Sequence, residues 1–239
     1  ETDLIVKSFN LEKNTIMTSN SDIIKKTMPV LEGFTTYLQV FFCLLIASFI
    51  AGAPSSIYEA VSGNPLFLEL NYGEPLAFSN ESVLISSIVL LLVFYLSASI
   101  QVGISLFCLD IYNGKGINFS TLFGSFNTLK PLAITILLTL IIGVGFILLI
   151  IPGVILGLMY SQVYYILAEN PDIGVLEAFK KSEKMMKGKK GQLFMLTLRA
   201  ILYFFLGIFT LFIWWIWLFP RYNVAFAGFY EELKKDPNN

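Results

Sequence analysis

The feature that most constrains this chain is an apolar run from Pro131 to Ala168 that holds no charged side chain. As one straight helix it would be about 57 Å long, close to twice the ~30 Å hydrocarbon thickness of a bilayer. It must fold back on itself. Proline loses nothing in the first turn of a helix, where its missing amide would be unpaired anyway, so Pro152-Gly153 is the expected turn and start of the returning helix. Gly143 and Gly145 are the competing turn site.

The rest of the chain has the same character. Hydrophobic residues make up 56% of it and charged residues 14%, a balance that belongs to a polytopic membrane protein. The formal net charge of -1 hides a segregation: the lysines fall in polar segments, whereas Arg199 and Arg221 sit inside apolar runs. Nucleic acid is excluded as a partner by this balance. There is no histidine, which removes histidine metal sites, Ser-His or Cys-His catalysis and histidine proton relays together. Cys43 and Cys108 fall inside apolar spans at different depths and read as small apolar residues rather than a disulfide. No metal, cofactor or catalytic set is expected, and the chain is read as a non-enzyme. It opens on Glu1 without a recognisable cleavable signal, which leaves open whether its start is complete.

Charge decides the threading. Residues 1–33 form a polar leader, in which Ser21, Asp22, Ile23, Ile24, Lys25, Lys26 and Met28 suit a short amphipathic turn before Pro29; a frayed leader and a membrane-surface anchor are both open. A first span covers Phe34 to Ala51. The loop to Glu81 carries Glu59, Glu69, Glu74 and Glu81 but no Lys or Arg, so the positive-inside rule puts it outside. A second span, Ser82 to Cys108, returns the chain, with Ser97, Ala98 and Ser99 as small residues for helix contact. A hairpin over 131–168 then keeps Lys180, Lys181, Lys184, Lys187, Lys189 and Lys190 inside, where a single span would strand them outside. The run from Leu193 to Tyr230 is again too long for one crossing, with a turn expected near Gly207 to Phe212. The expectation is an all-α, polytopic transmembrane bundle of about six spans in three hairpins over 34–230. A cytoplasmic tail, 231–239, and the leader place both termini inside a bacterial inner (plasma) membrane.

Between spans four and five, a cytoplasmic amphipathic helix is expected at about 171–188. Asn170 suits its cap, Pro171 its first turn and Asp172 its positive end. Ile173, Leu176, Phe179 and Met186 recur at helical steps, Glu177 to Lys181 and Glu183 to Lys187 are spaced four apart, and Gly188 can end the helix.

These residues carry a resemblance. IPGVILGLMYSQVYYILAENPDIGVLEAFKKSEKMMKGKKGQLFML at 151–196 and LFPRYNVAFAGFYEEL at 218–233 resemble the bacterial integral membrane family known as domain of unknown function 975. The matching features are Pro152-Gly153, Asn170-Pro171-Asp172, Ala178 with Lys181-Ser182, Met186 to Lys190, and Phe229-Tyr230 with Leu233. Arg221 departs from the pattern, which has Tyr after the proline. The resemblance implies a multi-span inner-membrane protein, distantly similar to membrane domains fused to some glycerophosphodiester phosphodiesterases, with no activity attached.

Two places could carry function. The six lysines of the amphipathic helix could dock anionic lipid or a cytoplasmic or membrane protein, or simply enforce orientation. Gln101, Gln162, Arg199 and Arg221 fall at similar depth in their spans, with no acid in any span to neutralise the arginines, which suggests an anion-accepting layer. The plainer alternative has Arg199 snorkelling toward Asp110 or Glu169 while the glutamines bond across helices. The leading functional expectation is a non-enzymatic accessory or scaffold protein; the alternative is a transporter of a small solute or lipid with an anionic group.

Overall fold

The computed structural model describes residues 19–31, 34–52, 80–126, 128–209 and 214–236. The acidic loop expected outside, and most of the leader, lie beyond these residues. Every regular element among them is helical: α1 (Asn20–Val30), α2 (Phe34–Gly52), α3 (Asn80–Tyr112), a 3-10 turn (Phe119–Phe123), α4 (Lys130–Leu148), α5 (Ile150–Met159), α6 (Val163–Glu169), α7 (Val175–Met185), α8 (Lys190–Phe209) and α9 (Trp215–Lys234). Three stretches among the described residues are long and apolar enough to cross a membrane: Leu91–Tyr112, Lys130–Leu148 and Ile150–Glu169.

Helices α3 and α9 form the centre. From Ala98 to Tyr112 almost every side chain of α3 is buried, and α9 buries Tyr222, Val224, Ala225, Ala227, Phe229, Tyr230 and Leu233. A helix that is apolar on all sides can satisfy that surface only by being surrounded. α2, α4, α6 and α9 pack on α3, and α1, α2 and α8 pack on α9. Ala98 and Ser99, expected at helix contacts, are buried, and Ser97 is half-buried. Gly103 lies directly on the backbone of Leu122, and Gly228 on the ring of Tyr112, at sites where a Cβ has no room.

The long apolar run does turn back, but at a place between the two expected ones. Leu149 alone is extended (φ -167°, ψ 155°), ending α4 and opening α5 at Ile150. Pro152 is then the third residue of the new helix, where its lack of an amide still breaks no intrahelical bond. Gly145 and Gly153 are contact points rather than turns. A Cβ on Gly145 would stand 2.9 Å from the Cα of Gly153, so α4 and α5 touch backbone to backbone just below the reversal. Ile147 to Ile151, around this tip, are all strongly exposed, as are Leu140 and Val144 along α4. So wide a bare apolar surface needs a covering that is not water. The returning half is also broken, since α5 stops at Met159 and α6 resumes at Val163 after a tight turn in which the Val163 amide donates to Tyr160 O.

The leader's amphipathic stretch is a packed helix and not a frayed one. Ser19 caps α1 by accepting from the Ser21 amide, Ile23, Ile24 and Thr27 are buried, and Met28 is exposed. Pro29 sits inside the helix, one residue from its end.

Candidate functional site

Within the segment expected at about 171–188 the structure has one helix, α7, over Val175–Met185. It starts at Val175 after an extended Gly174 that offers no side-chain cap. Asn170 instead closes α6, its Nδ2 donating weakly to Ile166 O at 3.5 Å, and its carbonyl accepts from the Ile173 amide across the turn. Asp172 therefore precedes the helix, and Glu177 is the acid in its first turn. The buried face is Ala178, Phe179, Ser182 and Met185, followed by Met186 at the C-terminal cap. Leu176, counted in the apolar stripe from its spacing, is 69% exposed. The reason is visible in what α7 meets. Phe179 packs on the Tyr160 ring at 5.1 Å, and Ser182 Oγ donates to Met159 O at 2.9 Å, so the α5–α6 break chooses the face. Gly188, at φ 76°, adopts the left-handed backbone that ends this segment.

The six lysines separate into two groups. Lys180, Lys181, Lys184 and Lys187 are exposed on the outer face. Lys189 turns in to Asp236 at 3.0 Å, and Lys190 Nζ donates to the Met159 sulfur at 3.4 Å, so these two hold α8 to its neighbours instead of facing outward. The Glu177–Lys181 and Glu183–Lys187 spacings do not close into ion pairs among the described residues, so the exposed side of α7 and the turn after it carry four lysines against the exposed Glu177 and Glu183.

The four-residue layer dissolves, and half of it reassembles elsewhere. Gln101 is exposed on the outside of α3. Gln162 is 2% exposed in the α5–α6 turn; its Nε2 donates to Ser161 Oγ at 2.8 Å and its Oε1 has no partner among the described residues. Arg199 and Arg221, by contrast, line one cavity of about 370 Å³ together with Ser21, Ile24, Lys25, Tyr203, Trp214, Leu218 and Tyr222. α1 supplies one wall, α8 the second and α9 the third. Depth along a helix axis made the four residues look equivalent, but rotation about each axis separates them. Lys25 was not singled out among the site residues, although its place beside Ile23 and Ile24 marked the helix that brings it in.

Neither arginine reaches the acids that snorkelling would use. Asp110 accepts from Lys115 at 2.9 Å. Glu169 accepts from the Tyr230 hydroxyl at 2.8 Å and from Lys234 at 2.5 Å. Lys234 also approaches Glu231 at 3.4 Å, and Asn113 Nδ2 donates to Glu231 at 2.9 Å, so the ends of α3, α6 and α9 share one polar clamp. Burial opposes the charge on Lys234, yet its bonds to Glu169 and Glu231 outweigh that and raise its pKa.

A family model described as a protein of unknown function, DUF975, matches residues 139–237. That segment is similar to the DUF975 family. It begins within α4 and holds the Leu149 reversal, α7, both arginines and the whole of α9, whereas α1, with Lys25, lies before it. No curated protein and no solved structure matches the chain.

Proposed function

We propose that this chain is a six-span protein of the bacterial inner membrane, with both termini cytoplasmic, that works without catalysis as an accessory docking an anionic surface through α7. Three elements beyond the qualifying stretches support six spans: α2, α8 and α9 are each about 28–30 Å long at 1.5 Å per residue, and α2 and α8 present bare apolar faces such as Phe42, Ile46, Leu202 and Phe205. In this reading the Leu149 tip reaches the outer side and α7 lies along the inner one.

The observation that carries the docking role is the division of α7. Its inner face is pinned by Phe179, Ser182 and Met185, while Lys180, Lys181, Lys184 and Lys187 are exposed and outnumber the exposed Glu177 and Glu183, with no ion pair closed among the described residues. A cationic face held rigidly beside a membrane attracts acidic headgroups or the acidic surface of a partner, at about 1 kcal/mol per lysine near a charged membrane. The test is mass spectrometry of the protein extracted from its own membrane in native lipid discs, with those four lysines changed to glutamine in a parallel preparation. Loss of an enriched anionic lipid, or of a stoichiometric protein, from the variant supports docking. Identical co-purifying material in both preparations sinks it.

Transport of an anionic solute or lipid is the second reading, and the cavity between α1, α8 and α9 is the observation in its favour.

A further inference from the structure

We propose that the cavity between α1, α8 and α9 is a binding site for a phosphate group, with Arg199, Arg221 and Lys25 as its ligands. The inference uses the placement of the chain in a membrane but not the docking role of α7.

Its first support is charge. Three cationic side chains line the cavity and, among the described residues, no carboxylate does. The nearest acid recorded against any of them is Asp22, whose Oδ1 stands 4.0 Å from Lys25 at the limit of an ion pair on the exposed side of α1. Arg199 is exposed and Arg221 half-buried, and a guanidinium keeps its proton in either setting, so two arginines on one cavity wall attract an anion. The second support is an unmet hydrogen bond. Arg221 Nε is shut off from solvent and has no partner among the described residues. Leaving such a charged donor unpaired costs more than an ordinary hydrogen bond is worth, and a protein keeps such a donor at low cost when something else fills its need.

Geometry favours phosphate over a carboxylate. A phosphate monoester carries nearly two charges and several acceptor oxygens, which suits two planar guanidinium forks with an ammonium between different helices. Ser21, Tyr203 and Tyr222 add hydroxyl groups to the same lining. The remaining lining, Ile24, Leu218 and Trp214, is apolar, and about 370 Å³ is far more room than a bare phosphate fills. The occupant thus has space for the atoms attached to its phosphate. Trp214, 53% exposed, and the exposed Tyr203 stand at the rim, aromatic types favoured at headgroup level. A phospholipid headgroup and a free phosphate compound share the recognised chemistry, and the experiment separates them.

The full chain is reconstituted in discs of phosphatidylcholine, with and without phosphatidic acid. Native mass spectrometry counts retained phosphatidic acid, and calorimetric titration follows inorganic phosphate. The expected result is specific retention or binding by the wild type, reduced about tenfold by Arg221→Gln and by Arg199→Gln, the loss expected for a charge-assisted hydrogen bond. Lys25→Gln, on the exposed side of α1, reports the same loss without threatening the core. Lys184→Gln, on α7, leaves it unchanged. Phosphatidic acid retained without phosphate binding identifies a lipid headgroup; phosphate binding in discs without phosphatidic acid identifies a free anion. Neither ligand binding, or binding equal to wild type in both Arg221→Gln and Lys25→Gln, overturns the proposal. Loss of the α7 lysines tests the docking role separately, since those residues do not line the cavity.

Discussion

Gly145 and Gly153 meet across the α4–α5 reversal with no room between them: a Cβ on Gly153 would stand 2.6 Å from the Phe146 ring, and one on Gly145 2.9 Å from the Cα of Gly153. One extended residue, Leu149, is enough to reverse the chain because the two helices can then touch at their backbones. Gly153→Val and Gly145→Val should each destabilise the protein by about 1–3 kcal/mol through overpacking. Gly143→Ala, with open space around it, serves as the control and should be neutral or slightly stabilising. Unfolding in mixed micelles by a denaturing detergent measures all three; equal behaviour of Gly143 and Gly153 variants would contradict the contact.

The clamp on Glu169 makes a second prediction. Tyr230→Phe removes a hydroxyl that donates to a carboxylate and should cost about 1–3 kcal/mol, with no change in helix content by circular dichroism. An effect near zero would show that the clamp contributes nothing.

Lys234 gives that clamp a pH dependence. Its pKa is raised in the folded protein, so its contribution is fully present below the ordinary lysine value of 10.5 and is lost as pH rises through the higher folded value. The difference in Tm between wild type and Lys234→Met should be constant from about pH 7 to 9 and shrink only above about pH 10.5. Shrinkage already near neutrality would rule out this assignment.

Tyr112 is held by its ring and not by its hydroxyl. The ring fills the space above Gly228 and lies beneath Lys26 Nζ at 4.6 Å, while its hydroxyl is buried without a partner among the described residues. Tyr112→Phe should therefore be neutral or mildly stabilising, whereas Gly228→Val should lower Tm by several degrees. Thermal unfolding of the two variants side by side decides it.

Cys43 and Cys108 are free, buried thiols, 3% and 1% exposed. A polar maleimide should leave both unmodified in the folded protein and label both after denaturation. Rapid labelling of either one in the native state would show that the bundle opens there.

Much of this architecture was legible in the residues. Helicity, the need for the Pro131 to Ala168 run to fold back, and the amphipathic character of the segment after it follow from length, charge and period, which are local properties of the chain. The burial of Ala98 and Ser99 was legible for the same reason. Details of one residue's width were not. Leu149 became the turn, rather than Pro152-Gly153, because the closest fit of two helix backbones put Gly145 against Gly153. Gly174, not Asn170, precedes α7, because the Asn170 backbone amide closes α6 by donating to Ile166 O.

The candidate site divides in the same way. That Arg199 and Arg221 lie in apolar runs without an acid beside them is a property of the sequence alone, and so is the presence of an uncompensated positive charge. Which groups share that charge was decided by tertiary structure. Gln101 and Gln162 have similar depth but point elsewhere, and Lys25 enters from a helix well over a hundred residues away in the chain. Depth along a helix is set by counting residues. The direction a side chain faces, and the neighbour it meets there, is set by how α1, α8 and α9 bury their apolar faces against one another, which the pattern of any one segment does not contain.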